Sequence, residues 1–215
     1  MPDVTERRLW DISQRLSART PLWPGEPEMV LTRNASIGPE CPVNVGELSL
    51  PLHAGTHADA PLHYSDDGLA SADSPLDAYL GPCLVVDARN AGARIEPEDC
   101  DWDALAGARR VVFRTYESFP HERWDSQFKA IAPEVVARLR DLGAVLIGTD
   151  APSLDPQESK TMDAHKEVLR GDLRILEGLV LDDVPSGEYE LIALPLAIEA
   201  ADASPVRAIL RELSA

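Results

Sequence analysis

Short apolar runs separated by proline, glycine and acidic residues recur along most of the chain, a pattern typical of a strand-rich protein. Three compact runs, residues 82–88, 110–115 and 144–149, are almost continuously apolar, as expected for strands buried on both faces of a sheet. Residues 203–213 fit either a strand or a helix. Looser patterns predict further strands at residues 9–13, 28–34, 43–52, 178–181 and 188–196.

Helical patterns are fewer and shorter. Residues 133–142 give the clearest one, because Pro133 opens its first turn, Gly143 follows its last residue, and apolar residues between them recur at helical spacing. Residues 163–170 predict a second helix, and residues 99–106 predict a turn or two of a third. We therefore expect a mixed α/β fold with more strand than helix and with long, proline-rich loops.

Composition limits how many domains the chain can form and which partners it can bind. The chain has 215 residues and 44% of them are hydrophobic, which is enough for one substantial core. We expect one domain over residues 1–215, with two domains as the weaker alternative. The formal net charge of −17 argues against nucleic acid or an anionic membrane as a partner, since both require a basic face.

The chain carries no sign of a membrane segment or an export signal. No apolar stretch approaches the roughly 20 residues that span a bilayer, and the first residues lack an apolar core. The cysteines, Cys41, Cys83 and Cys100, are odd in number and are not spaced as metal ligands. We expect reduced thiols in a cytoplasmic protein, in which histidines and carboxylates would hold any metal.

One segment, residues 53–63, concentrates the chemistry. Three of the chain's five histidines, His53, His57 and His63, lie in it, with Asp59 among them. Imidazole nitrogen and carboxylate oxygen are the usual ligands of catalytic zinc and related ions. The clustering predicts a metal site, and the alternative is a polar loop whose histidines coincide by chance.

The spacing of these residues also predicts a local shape. In an extended strand, which rises about 3.3 Å per residue, His53 and His57 would lie roughly 13 Å apart, too far to share one ion. A helix would bring them together, but Gly55 and Pro61 disfavour a helix. We therefore expect a bend at Gly55, followed by an extended stretch that carries His57 and Asp59 on one face, and a turn at Pro61.

Residues outside this segment offer further candidates. His165 is either a ligand or an exposed residue of a short helix. Glu177 interrupts an apolar run. A carboxylate buried there is costly unless it is paired or binds a metal. The alternative is an edge strand from which Glu177 faces water. Asp150 and Asp155 are candidates for orienting the ligands.

The pattern His-x-Gly-Thr-His-x-Asp-x-Pro-x-His at residues 53–63 resembles the signature of the cyclase-like metal hydrolase family. The block at residues 152–165 is similar to the bacterial kynurenine formamidase (arylformamidase) branch of that family. The resemblance covers essentially the whole chain. Other matching segments are residues 9–13, 20–26, 59–64, 79–83, 175–178, 181–187 and 189–196.

The resemblance implies a fold and a metal centre. The fold would be an α/β, strand-rich mixed-sheet domain of the swivelling β/β/α type with few helices, assembled as a homodimer. His53, His57 and Asp59 would bind a first ion, usually zinc. Asp59 would bridge to a second ion held also by His165 and Glu177, and Glu177 would bridge as well.

The same resemblance implies a reaction on a small-molecule substrate. We expect hydrolysis of N-formyl-L-kynurenine to L-kynurenine and formate in tryptophan degradation. His63 would donate and accept the proton, and Trp23 would line the substrate pocket, unless it is an ordinary core or dimer tryptophan. An Arg, Ser or Thr would suit the substrate's carboxylate, and the sequence selects none of them.

Several alternatives remain open at this level. The ligand set suits zinc but also manganese, iron or cobalt. The protein could instead be a sibling amide hydrolase with an isatin-type substrate, or a metal-binding protein without catalytic activity.

Overall fold

The computed structural model describes residues 7–213. Its helices are α1 (Trp102–Leu105), α2 (Pro133–Asp141) and α3 (Asp163–Arg170). Single 3-10 turns occupy Pro61–His63, Ser71–Asp73, Leu76–Tyr79 and Pro97–Asp99. The strands are β1 (Leu9–Asp11), β2 (Val30–Ala35), β3 (Val45–Ser49), β4 (His57–Asp59), β5 (Leu80–Asp87), β6 (Arg94–Ile95), β7 (Arg110–Arg114), β8 (Ala130–Ile131), β9 (Leu146–Thr149), β10 (Arg174–Glu177), β11 (Gly187–Ile192), β12 (Ala203–Pro205) and β13 (Ile209–Glu212).

A nine-stranded mixed sheet forms the centre of the fold, in the order β1-β13-β11-β5-β7-β9-β10-β4-β12. Its middle strands β5, β7, β9 and β10 are parallel, and the flanking strands are antiparallel. The almost continuously apolar runs fall on β5, β7 and β9. Their prediction as buried strands is confirmed for β7 and β9, whereas β5 is buried only at Cys83 and Val85. The expected strand-rich α/β fold with few helices is confirmed as well.

Each face of the parallel strands packs into its own hydrophobic cluster. Val111, Ile147 and Ile175 point to the face that α2 and α3 cover, where they meet buried residues such as Val136 and Val168. Their chain neighbours point to the other face, where residues of the antiparallel strands close over them. Side chains alternate along a strand, so one apolar run supplies both layers. Members of the second cluster include Val112, Leu146, Leu176, Leu191 and Leu210.

One predicted element is absent from the structure, and one that was left open is now assigned. The strand expected at residues 178–181 is wrong, because β10 ends at Glu177 and Gly178 turns the chain with φ +63°. The apolar residues that follow are buried in a loop, where Leu179 and Leu181 join the second cluster. Residues 203–213, which fitted strand or helix, form β12 and β13.

A two-stranded hairpin, β2–β3, stands outside the main sheet. Almost all of its side chains are exposed, including the apolar ones of Val30, Leu31, Val45 and Leu48. A hairpin of two strands is marginally stable in water unless another surface covers it.

Among residues 7–213, no helix has both the length and the apolar character needed to cross a membrane.

Candidate metal centre and active site

The bend expected at Gly55 is present and organises the site. Gly55 has φ +67°, a conformation that glycine adopts without strain, and β4 begins two residues later. His57 and Asp59 lie on β4 and are buried between β10 and β12. The turn at Pro61–His63 then brings His63 back beside His53, with 4.2 Å between ring centroids.

The bend also fixes the ring of His57. Its Nδ1 lies 2.9 Å from the carbonyl oxygen of Gly55. A carbonyl oxygen can only accept, so Nδ1 carries the hydrogen and Nε2 is the nitrogen that faces the interior, where a metal could bind it. Glu177 stands directly across from His57 in the pairing of β10 with β4. The backbone N–H of Leu154 donates to its Oε1 at 2.8 Å, which fixes the carboxylate.

His165 is held in the same way by a carboxylate. Asp155 Oδ2 lies 2.6 Å from His165 Nδ1, and the backbone N–H groups of Ala164 and His165 donate to the same carboxylate. Asp155 therefore fixes both the first turn of α3 and the orientation of the His165 ring, which leaves His165 Nε2 facing the centre. A carboxylate behind a histidine is a common arrangement around protein-bound metals.

Each of the buried carboxylates, Asp59 and Glu177, faces imidazoles with both of its oxygen atoms. Asp59 Oδ1 lies 3.0 Å from His53 Nδ1 and 3.4 Å from His57 Nε2, whereas Asp59 Oδ2 lies 3.5 Å from His165 Nε2. Glu177 divides in the same way, with Oε2 at 3.3 Å from His57 Nε2 and Oε1 at 3.7 Å from His165 Nε2. The five side chains thus form two sets of donor atoms that share the two carboxylates.

Three atoms at the middle of this cluster lack hydrogen-bond partners among the described residues, although they are buried: His57 Nε2, Asp59 Oδ1 and Asp59 Oδ2. Buried polar atoms without partners are uncommon and need an explanation. Nitrogen and oxygen donors that converge in this way fit a divalent cation such as zinc.

Electrostatics supports the same interpretation. Burial alone would lower the pKa of His57 and His165, but adjacent carboxylates reverse the effect and raise the pKa of each to about 10. Burial opposes ionisation of Asp59, but the three surrounding histidines hold its pKa well below the usual range. The cluster is therefore rich in negative charge and favours positive charge at its centre.

Asp202 completes the cluster and was not identified from the sequence. Its Oδ2 lies 3.1 Å from His53 Nε2 and 3.4 Å from His63 Nδ1, so it links the two more exposed histidines. It lies 149 positions from His53, in the loop before β12. Its neighbours in sequence offer no motif, and an isolated acidic residue in a loop is usually a solvated one.

A cavity of about 320 Å³ opens against one side of the cluster. His53, His57, His63 and Glu177 form part of its wall, while Asp59 and His165 lie behind them. The volume is in the range of small-molecule sites, which is about 300–1,000 Å³. The structure thus brings together all six predicted metal and acid/base residues: His53, His57, Asp59, His63, His165 and Glu177.

Aromatic side chains also line the cavity. Trp23 and Trp124 meet edge to face with 5.3 Å between ring centroids, and Phe119 and Tyr116 lie nearby in the lining. Trp124 Nε1 donates to Gln157 Oε1 at 2.7 Å, which fixes its ring. Trp23 therefore lines this cavity, and its contact with the substrate stays a prediction.

Asp150 supports the cavity and does not orient a histidine. Its carboxylate accepts from the backbone N–H groups of Thr115 and Tyr116 and from Thr115 Oγ1. Burial raises its pKa to about 6, against the opposing effect of these donors. Asp150 thus fixes the end of β7 and the start of the loop that carries Tyr116.

Comparison with known proteins places this site in a family. Residues 10–156 match the family model described as putative cyclase. This chain belongs to the putative cyclase family. A curated relative from Sphingopyxis alaskensis, named kynurenine formamidase, is 62% identical over 207 residues, which cover 96% of this chain and 99% of that protein.

Solved structures agree with the fold of this family member. A structure described as a potential metal-dependent hydrolase with cyclase activity has a TM-score of 0.83 and 28% identity, and covers 97% of this chain and 100% of that one. An isatin hydrolase bound to the product analogue thioisatinate has a TM-score of 0.82 at 23% identity, and covers 97% of this chain and 94% of that one. The second likeness bears on the fold alone.

Proposed function

We propose that this chain hydrolyses N-formyl-L-kynurenine to L-kynurenine and formate, as a metal-dependent arylformamidase. The observation that carries the proposal is the position of the histidine–carboxylate cluster in the wall of an aromatic cavity of about 320 Å³. The substrate follows from the name of the 62% identical relative. The reaction consumes one water and breaks the formyl C–N bond, and the aniline nitrogen leaves with a proton.

We propose that the cluster holds two ions, with zinc as the expected metal. His53 and His57 would bind one ion and His165 the other, and Asp59 and Glu177 would bridge them. The division of their oxygen atoms between the two imidazole groups supports this arrangement. Bound divalent ions supply Lewis acidity toward a formyl oxygen and an activated water near neutral pH.

His63 is the proposed acid and base. It lies in the cavity wall, is more exposed than His57 and His165, and is oriented by Asp202. An imidazole in this place can take a proton and return it to the nitrogen of the leaving aniline. The edge-to-face pair of Trp23 and Trp124 offers an apolar surface for the aryl ring.

We also propose that the protein forms a homodimer through the β2–β3 hairpin. The cross-strand pair Leu31 and Leu48 lies on one face of the hairpin, and both side chains are at least half exposed. A second copy that covers this face would remove the leucines from water, and burial of that kind is worth about 25 cal/mol per Å².

A substrate panel tests the proposed activity. The zinc-loaded protein is assayed with N-formyl-L-kynurenine and with isatin, whose cyclic amide also needs hydrolysis but presents no formyl group. We expect kcat/KM for the formyl substrate to exceed that for isatin by orders of magnitude. Faster turnover of isatin, or no turnover of the formyl substrate by metal-replete protein, would overturn the proposal.

A further inference from the structure

The cavity wall carries charge in addition to the metal cluster and the aromatic rings. Among the residues that the structure describes, Arg123 is the one lysine or arginine that lines the cavity. Elsewhere in the molecule, arginines such as Arg19, Arg89 and Arg207 form ion pairs with carboxylates. Within residues 7–213, the Arg123 guanidinium has no such partner, and it is left free to bind an anion.

A fixed carboxylate lies two residues further along the same loop. Asp125 Oδ2 accepts from the hydroxyl of Tyr116 at 3.1 Å, and its Oδ1 accepts from the backbone N–H of Gln127 at 3.0 Å. Tyr116 is itself held by Asp150 at the end of the parallel strands. The Asp125 carboxylate is thus fixed in the wall before any ligand arrives.

Tyr116 contacts the second of these charged residues, Asp125, directly. Burial and the Asp125 carboxylate raise the pKa of Tyr116, while Arg123 has the opposite effect. The hydroxyl therefore stays protonated and able to donate. Arg123 and Asp125 are two residues apart on one loop and both line the cavity, so this part of its wall offers a positive and a negative group.

We infer that Arg123 binds the α-carboxylate and Asp125 the α-ammonium group of the amino-acid end of the substrate. The inference rests on the proposed function, because N-formylkynurenine carries such a zwitterionic end beyond its aryl ring. The formamide of the substrate would then face the histidine cluster, and its aryl ring would face the tryptophan pair. Its amino-acid end would face Arg123 and Asp125. A guanidinium binds a carboxylate through parallel hydrogen bonds, which gives orientation as well as affinity.

Three formamides that differ only at this end test the inference. N-Formylkynurenine has both charged groups, N-formylkynuramine keeps the ammonium group and lacks the carboxylate, and 2-formamidoacetophenone lacks both. The readout is the ratio of kcat/KM between two substrates for the same zinc-loaded variant, so changes in metal content or folding cancel.

Arg123→Gln should lower the ratio of N-formylkynurenine to N-formylkynuramine about tenfold, as expected for a partly exposed charged hydrogen bond. Asp125→Asn should lower the ratio of N-formylkynuramine to 2-formamidoacetophenone by a similar factor. Arg109→Gln is the matched control, because it changes the net charge equally but lies before β7, at the opposite end of the strand from Tyr116. It should leave both ratios at their wild-type values.

The outcomes separate this inference from the proposed function. If wild-type protein hydrolyses all three formamides and Arg123→Gln leaves the first ratio unchanged, Arg123 does not bind the carboxylate and the inference fails alone. If metal-replete wild-type protein hydrolyses none of them, the proposed function fails. If Arg109→Gln lowers the ratio as much as Arg123→Gln, the effect is one of net charge, and the assignment to Arg123 is wrong.

Discussion

At the scale of single residues, the buried histidines His57 and His165 differ from His63 in the groups that hold their rings. Gly55 and Asp155 fix His57 and His165 with one nitrogen inward, as ligands require. His63 is more exposed and contacts Asp202 from the edge of the cavity. This contrast supports the proposal that His63 transfers protons, whereas His57 and His165 bind metal.

His63→Ala should lower kcat about 100-fold or more while bound metal stays at the wild-type level, since a positioned acid or base contributes about 10²–10⁴-fold. Steady-state kinetics with elemental analysis of the same sample provides the measurement. His121→Ala is the control, because His121 is mostly exposed and lies outside the cluster. Loss of metal together with activity would show that His63 is a ligand.

The sequence identified the ligand types because they are concentrated in one short segment. His53, His57 and Asp59 could be selected from residues 53–63 alone. Asp202 could not, because its partner His53 is 149 positions away and only the sheet pairing of β12 with β4 brings them together. Long-range contacts of this kind depend on topology, which residue types and local spacing do not encode.

At the scale of elements, two glycines with positive φ shape the site. Gly55 precedes β4 and Gly178 follows β10, so they lie at neighbouring ends of paired strands. A Cβ atom on Gly178 would lie 2.5 Å from the backbone oxygen of Gly55, which cannot move without displacing His57. The bend at Gly55 was predictable from ligand spacing, whereas the one at Gly178 was hidden inside an apolar run that suggested a strand.

Gly178→Ala should lower the free energy of unfolding by about 3 kcal/mol or more, because backbone clash adds to conformational strain. Gly107→Ala provides the control: it has φ +82° but nothing within 4 Å of the added Cβ, so strain alone should cost about 1–2 kcal/mol. Urea unfolding of both variants gives the comparison. Equal losses for the two variants would contradict the close approach of Gly178 to Gly55.

At the scale of the whole molecule, the main sheet draws strands from near both ends of the described chain. β1 at residue 9 pairs with β13, which ends at residue 212, and β4 and β12 close the other edge. The apolar runs predicted buried strands, but not their order, because order depends on which strands pair across long loops. We propose that residues 1–215 form one domain.

One domain should unfold as one cooperative unit in urea. Tryptophans report on separate regions, since Trp10 lies on β1, Trp102 on α1, and Trp23 and Trp124 in the cavity wall. Unfolding followed by tryptophan fluorescence and by far-ultraviolet circular dichroism, on chelator-treated protein, should therefore coincide. Two separated transitions would favour the two-domain alternative.

Replacing both Leu31 and Leu48 by serine should convert the proposed dimer to a monomer, because it removes the apolar face of the β2–β3 hairpin. Light scattering coupled to size-exclusion chromatography measures the mass. Leu76 and Leu169 are also exposed but lie away from the hairpin, so their double serine variant serves as the control. A wild-type mass of one chain, about 23.4 kDa, would refute the dimer.

The central claim is that a metal held by the histidine–carboxylate cluster is required for formamide hydrolysis, and one measurement tests it directly. Bound metal per chain and kcat/KM for N-formyl-L-kynurenine are determined on the same protein as isolated, after removal of metal by a chelator, and after zinc is restored. We expect activity to disappear with the metal and to return with it, and Glu177→Ala to hold less metal than the wild type both as isolated and after zinc is restored. Full activity in metal-free protein would contradict the account.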